Sequence, residues 1–180
     1  MNSNEGKSFY RIIPDNTMTG KMEEYMKQVR SLLYIVILLC IVSFAGICPA
    51  QEKATKDECV AKVKEAAAMI KQIGLDATFA KINDPKGPFQ WKDTYVFCYN
   101  LDGVMMAHPN PKLVGKNLID LKDTNGKMYV AEFISVAKNA GEGWVTYTWP
   151  KPGEKEASPK VTYVYRVPGE NVAVFAGVYE

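Results

Sequence analysis

The chain has 180 residues, with 22 Lys and Arg against 20 Asp and Glu, and a single histidine. Beyond Gln51 the charges nearly cancel and Arg166 is the one arginine, which argues against the basic stripe of a nucleic-acid binder. Four cysteines occur without a Cys-x-x-Cys or Cys/His cluster, so structural zinc, c-type haem and thioredoxin chemistry have no support.

Residues 1–25 form a polar tract without periodicity, and residues 26–50 have an export pattern. Lys27 and Arg30 precede an apolar run from Leu32 to Ile47, and Cys48-Pro49-Ala50 follows with small exit residues. The run is short for a membrane span, which needs about 20 residues, although about 17 can serve. Two readings remain open. Translation starts at or near Met26 and the segment is a signal peptide, or the segment is an uncleaved membrane anchor behind a cytoplasmic tail. Both place the later residues outside the cytoplasm, because positive charge stays inside. Leu39 and Ile47 stand where a lipoprotein cysteine at Cys40 or Cys48 would need a small residue. Cys59 and Cys98 are read as two buried thiols in preference to the disulfide that an exported compartment permits.

The folded domain is expected over residues 55–180. Thr55-Lys56-Asp57-Glu58 reads as a capping box, and its acidic residues suit the positive end of a helix dipole. Val60, Val63, Ala67, Ile70 and Ile73 then predict an amphipathic helix of about 18 residues, stopped by Gly74. Leu75, Phe79 and Ile82 predict a second, short helix, and residues 83–88 a firm turn. Tyr95, Phe97 and Tyr99 alternate with Val96 and Cys98 on a strand, Asp102-Gly103 turns the chain, and Val104 to His108 returns antiparallel. Pro109 and Pro111 end that strand, since neither can donate to a ladder. Leu118 to Leu121 is expected to make one helical turn. Met128 to Ala140 reads as a helix with Phe133, Val136, Ala137 and Ala140 inward. Three strands follow at 144–149, 161–167 and 172–179, with a polar loop over 154–159 and a turn at 168–171. This order predicts an α+β fold: a long N-terminal helix packed on a five-stranded antiparallel PAS-like sheet with a helical insertion.

The strings YVFCYNLDGVMMAHPNPKLVGKNLIDLKDTNGK, GWVTYTWPKP, SPKVTYVYRVP and a closing AGVY, in this order and spacing, resemble the single-Cache extracytoplasmic sensor domain. The resemblance covers roughly residues 55–179. It implies a small-ligand pocket, often for a short organic acid, between the sheet and its covering loops and helix. Such domains commonly sit between two membrane spans with an output module inside the cell. This sequence stops at Glu180, directly after its last strand, so the expectation is a sensor without its own output module.

His108 either hydrogen-bonds a ligand carboxylate or pins the Pro109–Pro111 loop through backbone bonds. Lys160 would ordinarily be solvated, but it matches the family's Pro-Lys position and is the expected positive anchor, with Arg166 as its rival. Tyr147 and Trp149 share a strand face by period two, with Trp144 opposite, and at least one tryptophan is expected in the core. Tyr147 is the better ligand candidate, because a buried hydroxyl needs a partner. Tyr95, Tyr163 and Tyr129 complete the expected site, Tyr129 as a cap from above and Tyr163 sharing its orientation with Tyr165. Turn roles explain Asp120, Asp123, Asn100 and Asp102 better than calcium binding, and no cofactor is expected. There is no Gly-x-Ser-x-Gly or His-Glu-x-x-His, so the sequence points to a binding module and not an enzyme. The alternative is a protein-interaction partner that docks on a membrane receptor or complex, with the sheet purely structural.

Overall fold

The computed structural model describes residues 16–43 and 52–180, with side chains over 20–34 and 52–180. It divides into two compact units, residues 1–48 and 49–180. In the first, helix α1 spans Asn16–Ser43. It begins inside the tract read as unpatterned. Lys21, Met22, Glu23, Glu24, Met26 and Lys27 are strong helix formers, and Met22, Met26, Val29 and Leu33 recur at helical spacing, a periodicity the sequence reading missed. No described helix is long and apolar enough to cross a membrane. The Cys48-Pro49-Ala50 exit site and the side chains of the apolar run beyond Tyr34 lie outside the described residues.

The second unit starts with helix α2, Lys56–Ile73. Its capping box is closed in both directions: Glu58 N–H donates to Thr55 Oγ1 (3.2 Å) and Thr55 N–H donates to the Glu58 carboxylate (2.9 Å). Gly74 (φ 86°) ends the helix, and its N–H caps Ile70 O at 2.9 Å. Cys59, Val63, Ala66, Ala67 and Ile70 form one buried stripe. A shorter helix, α3 (Leu75–Asn83), follows.

The strands are β1 (Gln90–Trp91), β2 (Thr94–Asn100), β3 (Met105–Ala107), β4 (Glu142–Pro150), β5 (Ala157–Arg166) and β6 (Val172–Tyr179). The five expected strands are present, and β1 adds two residues beside β2. The sheet order is β1-β2-β6-β5-β4, with β3 also on β2, and every pairing is antiparallel. The first long strand and the last therefore lie side by side in the middle. Gly103 (φ 84°) makes the β2–β3 turn, and any Cβ there would meet Ile119 Cβ at 2.8 Å.

The sheet has a core on each face. Val96, Cys98, Val161, Tyr163, Val174, Ala176 and Val178 face α2 and α3. Tyr95, Phe97, Tyr99, Val145, Tyr147, Val164, Ala173 and Phe175 face helix α4, Tyr129–Asn139. Burial of alternate residues on both sides explains why β6 is buried at every position. Cys59 and Cys98 are buried free thiols, and burial pushes Cys59 up to about 12.

Several local expectations are corrected. The inner face of α4 is Tyr129, Val130, Phe133, Ile134 and Ala137, while Val136 is half-buried and Ala140 exposed. The helix is rotated so that Tyr129 and Phe133 meet the aromatic face of the sheet. Leu118 to Leu121 is a turn closed by Leu121 N–H to Leu118 O at 3.0 Å, not a helical segment. Strand β5 starts at Ala157, because Pro159, although it has no N–H, still accepts from Glu180 N–H at 3.0 Å. No described tryptophan is fully buried. Trp91 and Trp149 pack at the margins of the two cores, and Trp144 is 38% exposed beneath Lys56.

Candidate functional site

On the α4 face, period-two alternation brings Tyr95, Phe97 and Tyr99 of β2 opposite Tyr147 and Trp149 of β4. Met105, His108 and Tyr129 complete a chamber. Its free volume is about 10 Å³, room for roughly one water. Tyr129 is delivered by the first turn of α4 and stacks on Tyr147 with ring centroids 4.4 Å apart and planes 12° apart. Phe133 meets the edge of Tyr147 at 5.2 Å. Trp149 Nε1–H donates to Tyr95 OH at 3.0 Å. Outside that pair lies a vestibule of about 390 Å³ under the Pro150–Glu154 turn, reached also by Gln90, Asn110 and Leu113. Tyr95, His108 and Trp149 line both spaces, so they form the wall between them.

Lys160 lies beneath this wall. It is fully buried, and its Nζ donates to Tyr179 OH at 3.1 Å. The ammonium sits 4.4 Å from the centroids of both the Tyr95 and Tyr179 rings and 5.8 Å from that of Phe97. Among the described residues no carboxylate pairs with it. Burial lowers its pKa to about 7, opposed by the more distant Cys59 and Asp93. Lys160, packed against Tyr95 but lining neither space, is thus a cation poised to lose its proton near neutrality.

His108 takes the second of its two expected roles, pinning the proline loop. Its Nδ1 accepts from Asn110 N–H at 2.8 Å, which pins the proline loop, and its own N–H donates to Asn83 Oδ1 at 2.8 Å. Burial, and then the charge of Lys160, lower its pKa to about 3. With Nδ1 accepting, the neutral ring carries its proton on Nε2, a donor at the border of chamber and vestibule. Burial also pushes Tyr95 up to about 12 and Tyr147 well above its ordinary value, so their hydroxyls remain protonated donors. Tyr147 OH accepts from Thr162 Oγ1 at 3.3 Å, which leaves its own proton available.

Of the sequence candidates, the structure gathers Tyr95, His108, Tyr129, Tyr147 and Trp149 around one chamber, with Lys160 below Tyr95. Tyr163 is the correction. It sits on the α2 face, packs on Trp144 at 5.2 Å, and its hydroxyl donates to Glu142. Lys160 and Tyr163 are three residues apart, so they point to opposite faces of β5. Arg166, the rival anchor, is exposed at the far end of β5. Sequence reasoning missed Phe97, Tyr99, Met105, Gln90 and Tyr179. The Tyr95-Phe97-Tyr99 alternation already carried the first two. Tyr179 emerges only from the register that sets it opposite Lys160. Asp123 serves its turn, accepting from the N–H groups of Asn125, Lys127 and Thr148.

A family model described as single Cache domain 2 matches residues 49–180. The chain is 37% identical over 89 residues to the sensor histidine kinase MctS of Rhizobium johnstonii, covering 49% of this chain and 19% of that protein. It is 33% identical over 88 residues to the methyl-accepting chemotaxis protein McpP of Pseudomonas putida, covering 48% of this chain and 16% of that protein. The chain therefore spans less than a fifth of the length of these curated relatives. A solved structure described as the basis for carboxylic acid recognition by a Cache chemosensory domain superposes with a TM-score of 0.61 at 26% identity, covering 68% of this chain and 91% of that one. A methyl-accepting chemotaxis protein from Vibrio parahaemolyticus superposes with a TM-score of 0.59 at 27% identity, covering 69% and 87%.

Proposed function

The chain belongs to the single Cache domain family, and from that premise we propose that it is an extracytoplasmic sensor module whose ligand is a short-chain organic acid. The observation that carries the ligand class is Lys160, fully buried without a carboxylate partner. An unpaired buried ammonium is costly, and an entering carboxylate supplies the missing counter-charge and strong, charge-assisted hydrogen bonds. The donors around it suit the same guest: the phenols of Tyr95 and Tyr147, and Nε2–H of neutral His108. The ring faces of Phe97, Tyr129 and Trp149 accept the alkyl part. The carboxylic acid named for one structural neighbour agrees with this chemistry. The chamber, with room for about one water, must widen to admit even a two-carbon acid, and parting Trp149 from Tyr95 opens it to the vestibule. The relatives named as a sensor kinase and a chemotaxis protein support output through a membrane signalling partner.

Thermal melting of the purified domain with acetate, propionate, lactate and pyruvate tests the reading. At least one acid should raise the melting temperature, and Lys160→Met should abolish that rise while remaining folded. If no acid shifts the wild type, or if the shift persists in Lys160→Met, the organic-acid reading is wrong.

A further inference from the structure

Strand β3 carries an extra residue against its partner. Met105 pairs with Tyr99 and Ala107 with Cys98, so two steps along β3 oppose one along β2, and Met106 is the extra residue of a bulge. In a regular strand Met105 and Ala107 would share a face. The bulge separates them. Ala107 joins the core against α2 and α3, Met106 packs at the margin of that core, and Met105 turns to the α4 face and lines the chamber. The main chain of Met105 cannot retreat, because its N–H donates to Lys116 O at 2.9 Å and its carbonyl accepts from Gly115 N–H at 2.8 Å. The rest of the lining is braced. Phe97 stacks on Phe175 at 5.2 Å, Tyr129 stacks on Tyr147 at 4.4 Å, and Tyr99 meets the edge of Phe175 at 5.6 Å. Trp149 is bonded to Tyr95, and His108 to Asn110. Among the described residues of the lining, Met105 alone has no ring. An unbranched thioether with three rotatable bonds adapts its shape where a stacked ring does not.

We infer that Met105 is a specificity-determining residue: it is the yielding end of the chamber and sets the longest alkyl chain that the site accepts. This rests on the organic-acid reading of the same site. The chamber follows β2 from Tyr95, whose ring lies 4.4 Å from the Lys160 ammonium, to Tyr99, which Met105 faces across the β2–β3 pair. A carboxylate held at the Tyr95 end therefore sends its alkyl tail along Phe97 toward Met105. The free volume of about 10 Å³ leaves no room for an alkyl chain, so each added carbon must displace a side chain, and Met105 swings at the least cost. Once its rotamers are used up, the next methylene meets braced rings, and affinity falls instead of rising.

Calorimetric titration with the series acetate, propionate, butyrate and valerate tests this. In the wild type, affinity should grow roughly fourfold per methylene, the gain of burying one CH2, up to one length, and then fall by about tenfold or more at the next. Met105→Ala should move that break at least one carbon longer. Met105→Val, whose branched side chain suits a strand, should move it in the same direction and repeats the measurement should the alanine variant unfold. Methyl-labelled methionine gives a reading without substitution: a saturating acid should move the Met105 methyl resonance in the NMR spectrum and leave Met106, on the other core, in place. A break at the same length in the wild type and both variants overturns the inference. So does an affinity that climbs through valerate in the wild type, a Met105 resonance that no bound acid moves, or loss of all binding by a folded variant, since Met105 would then hold the guest and not measure it. Failure of all four acids to bind the wild type overturns it together with the organic-acid reading, whereas binding with an unshifted break overturns the role of Met105 alone.

Discussion

At the scale of the residue, the proposed organic-acid site depends on the protonation of Lys160. Its folded pKa of about 7 lies below the ordinary 10.5 because burial disfavours the charged form. A bound carboxylate reverses that preference, so binding above pH 7 must take up a proton. Affinity for an acid such as propionate should therefore be flat below pH 7 and fall about tenfold per pH unit above it, until the ligand-bound lysine itself titrates. Titrations in buffers of different ionisation enthalpy would reveal the proton uptake. A flat affinity from pH 6 to 9 would remove Lys160 from the site. His108 cannot produce this slope, since it is neutral from about pH 3 upward. The lysine was legible in the sequence only through the Pro-Lys resemblance, because nothing in a strand-end lysine announces full burial. Tyr163 was assigned to the site by type and not by side. Its parity with Lys160 on one strand already excluded a shared face.

At the scale of the element, the middle of the sheet is built around a missing side chain. Gly177 of β6 pairs with Thr162 of β5, and a Cβ there would collide with Thr162 Oγ1 and approach Val161 O at 2.7 Å and Thr162 Cα at 2.9 Å. Two of these three atoms are backbone and cannot rotate away. Gly177→Ala should part β5 from β6, cost roughly 1–3 kcal/mol as overpacking does, and disturb the Thr162 hydroxyl that donates to Tyr147. Urea unfolding would measure the loss. Adding Thr162→Ala should recover only part of it, because the backbone contacts remain; a single variant as stable as wild type would show the strands to be freer than this. Elements were legible where their signals are local. The Thr55 capping box and Gly74 bounded α2 at both ends, and Val172 to Tyr179 was bounded correctly. The rotation of α4 was not legible, because Ile134, Val136 and Ala140 are all apolar and only the aromatic face of the sheet decides between them. The same limit hid Gln90, which lines the vestibule only because two-residue β1 folds back on Tyr95.

At the scale of the whole molecule, groups buried in their neutral forms set the pH range of stability, and each has a definite sign. His108 titrates at about 3 when folded against 6.5 when unfolded, so the unfolded chain binds the extra proton between those values. Stability must fall as pH drops from 6.5 toward 3. Lys160 acts in the same direction at higher pH. Its folded value of about 7 against 10.5 makes the unfolded chain the better proton acceptor, so stability rises from pH 7 toward 10. Cys59 opposes this: its folded value of about 12 against 9.0 means that the unfolded chain sheds its proton first, and stability falls above pH 9. Burial raises Cys98 and Tyr95 too, and both add to the alkaline loss. The free domain should therefore be most stable at mildly alkaline pH, near 8 to 9. A saturating organic acid should shift that optimum downward, because it removes the rise that Lys160 contributes above pH 7. Melting temperatures collected from pH 4 to 10, with and without the acid, would display both curves. Lys160→Met should remove the rise between pH 7 and 9 and raise the melting temperature at pH 6, since a methionine of similar length has no charge to desolvate. His108→Asn should flatten the acid limb, as the asparagine oxygen can still accept from Asn110 N–H. If Lys160→Met instead destabilised the domain at every pH, the lysine would be a structural strut. The link between ligand charge and fold stability would then be lost.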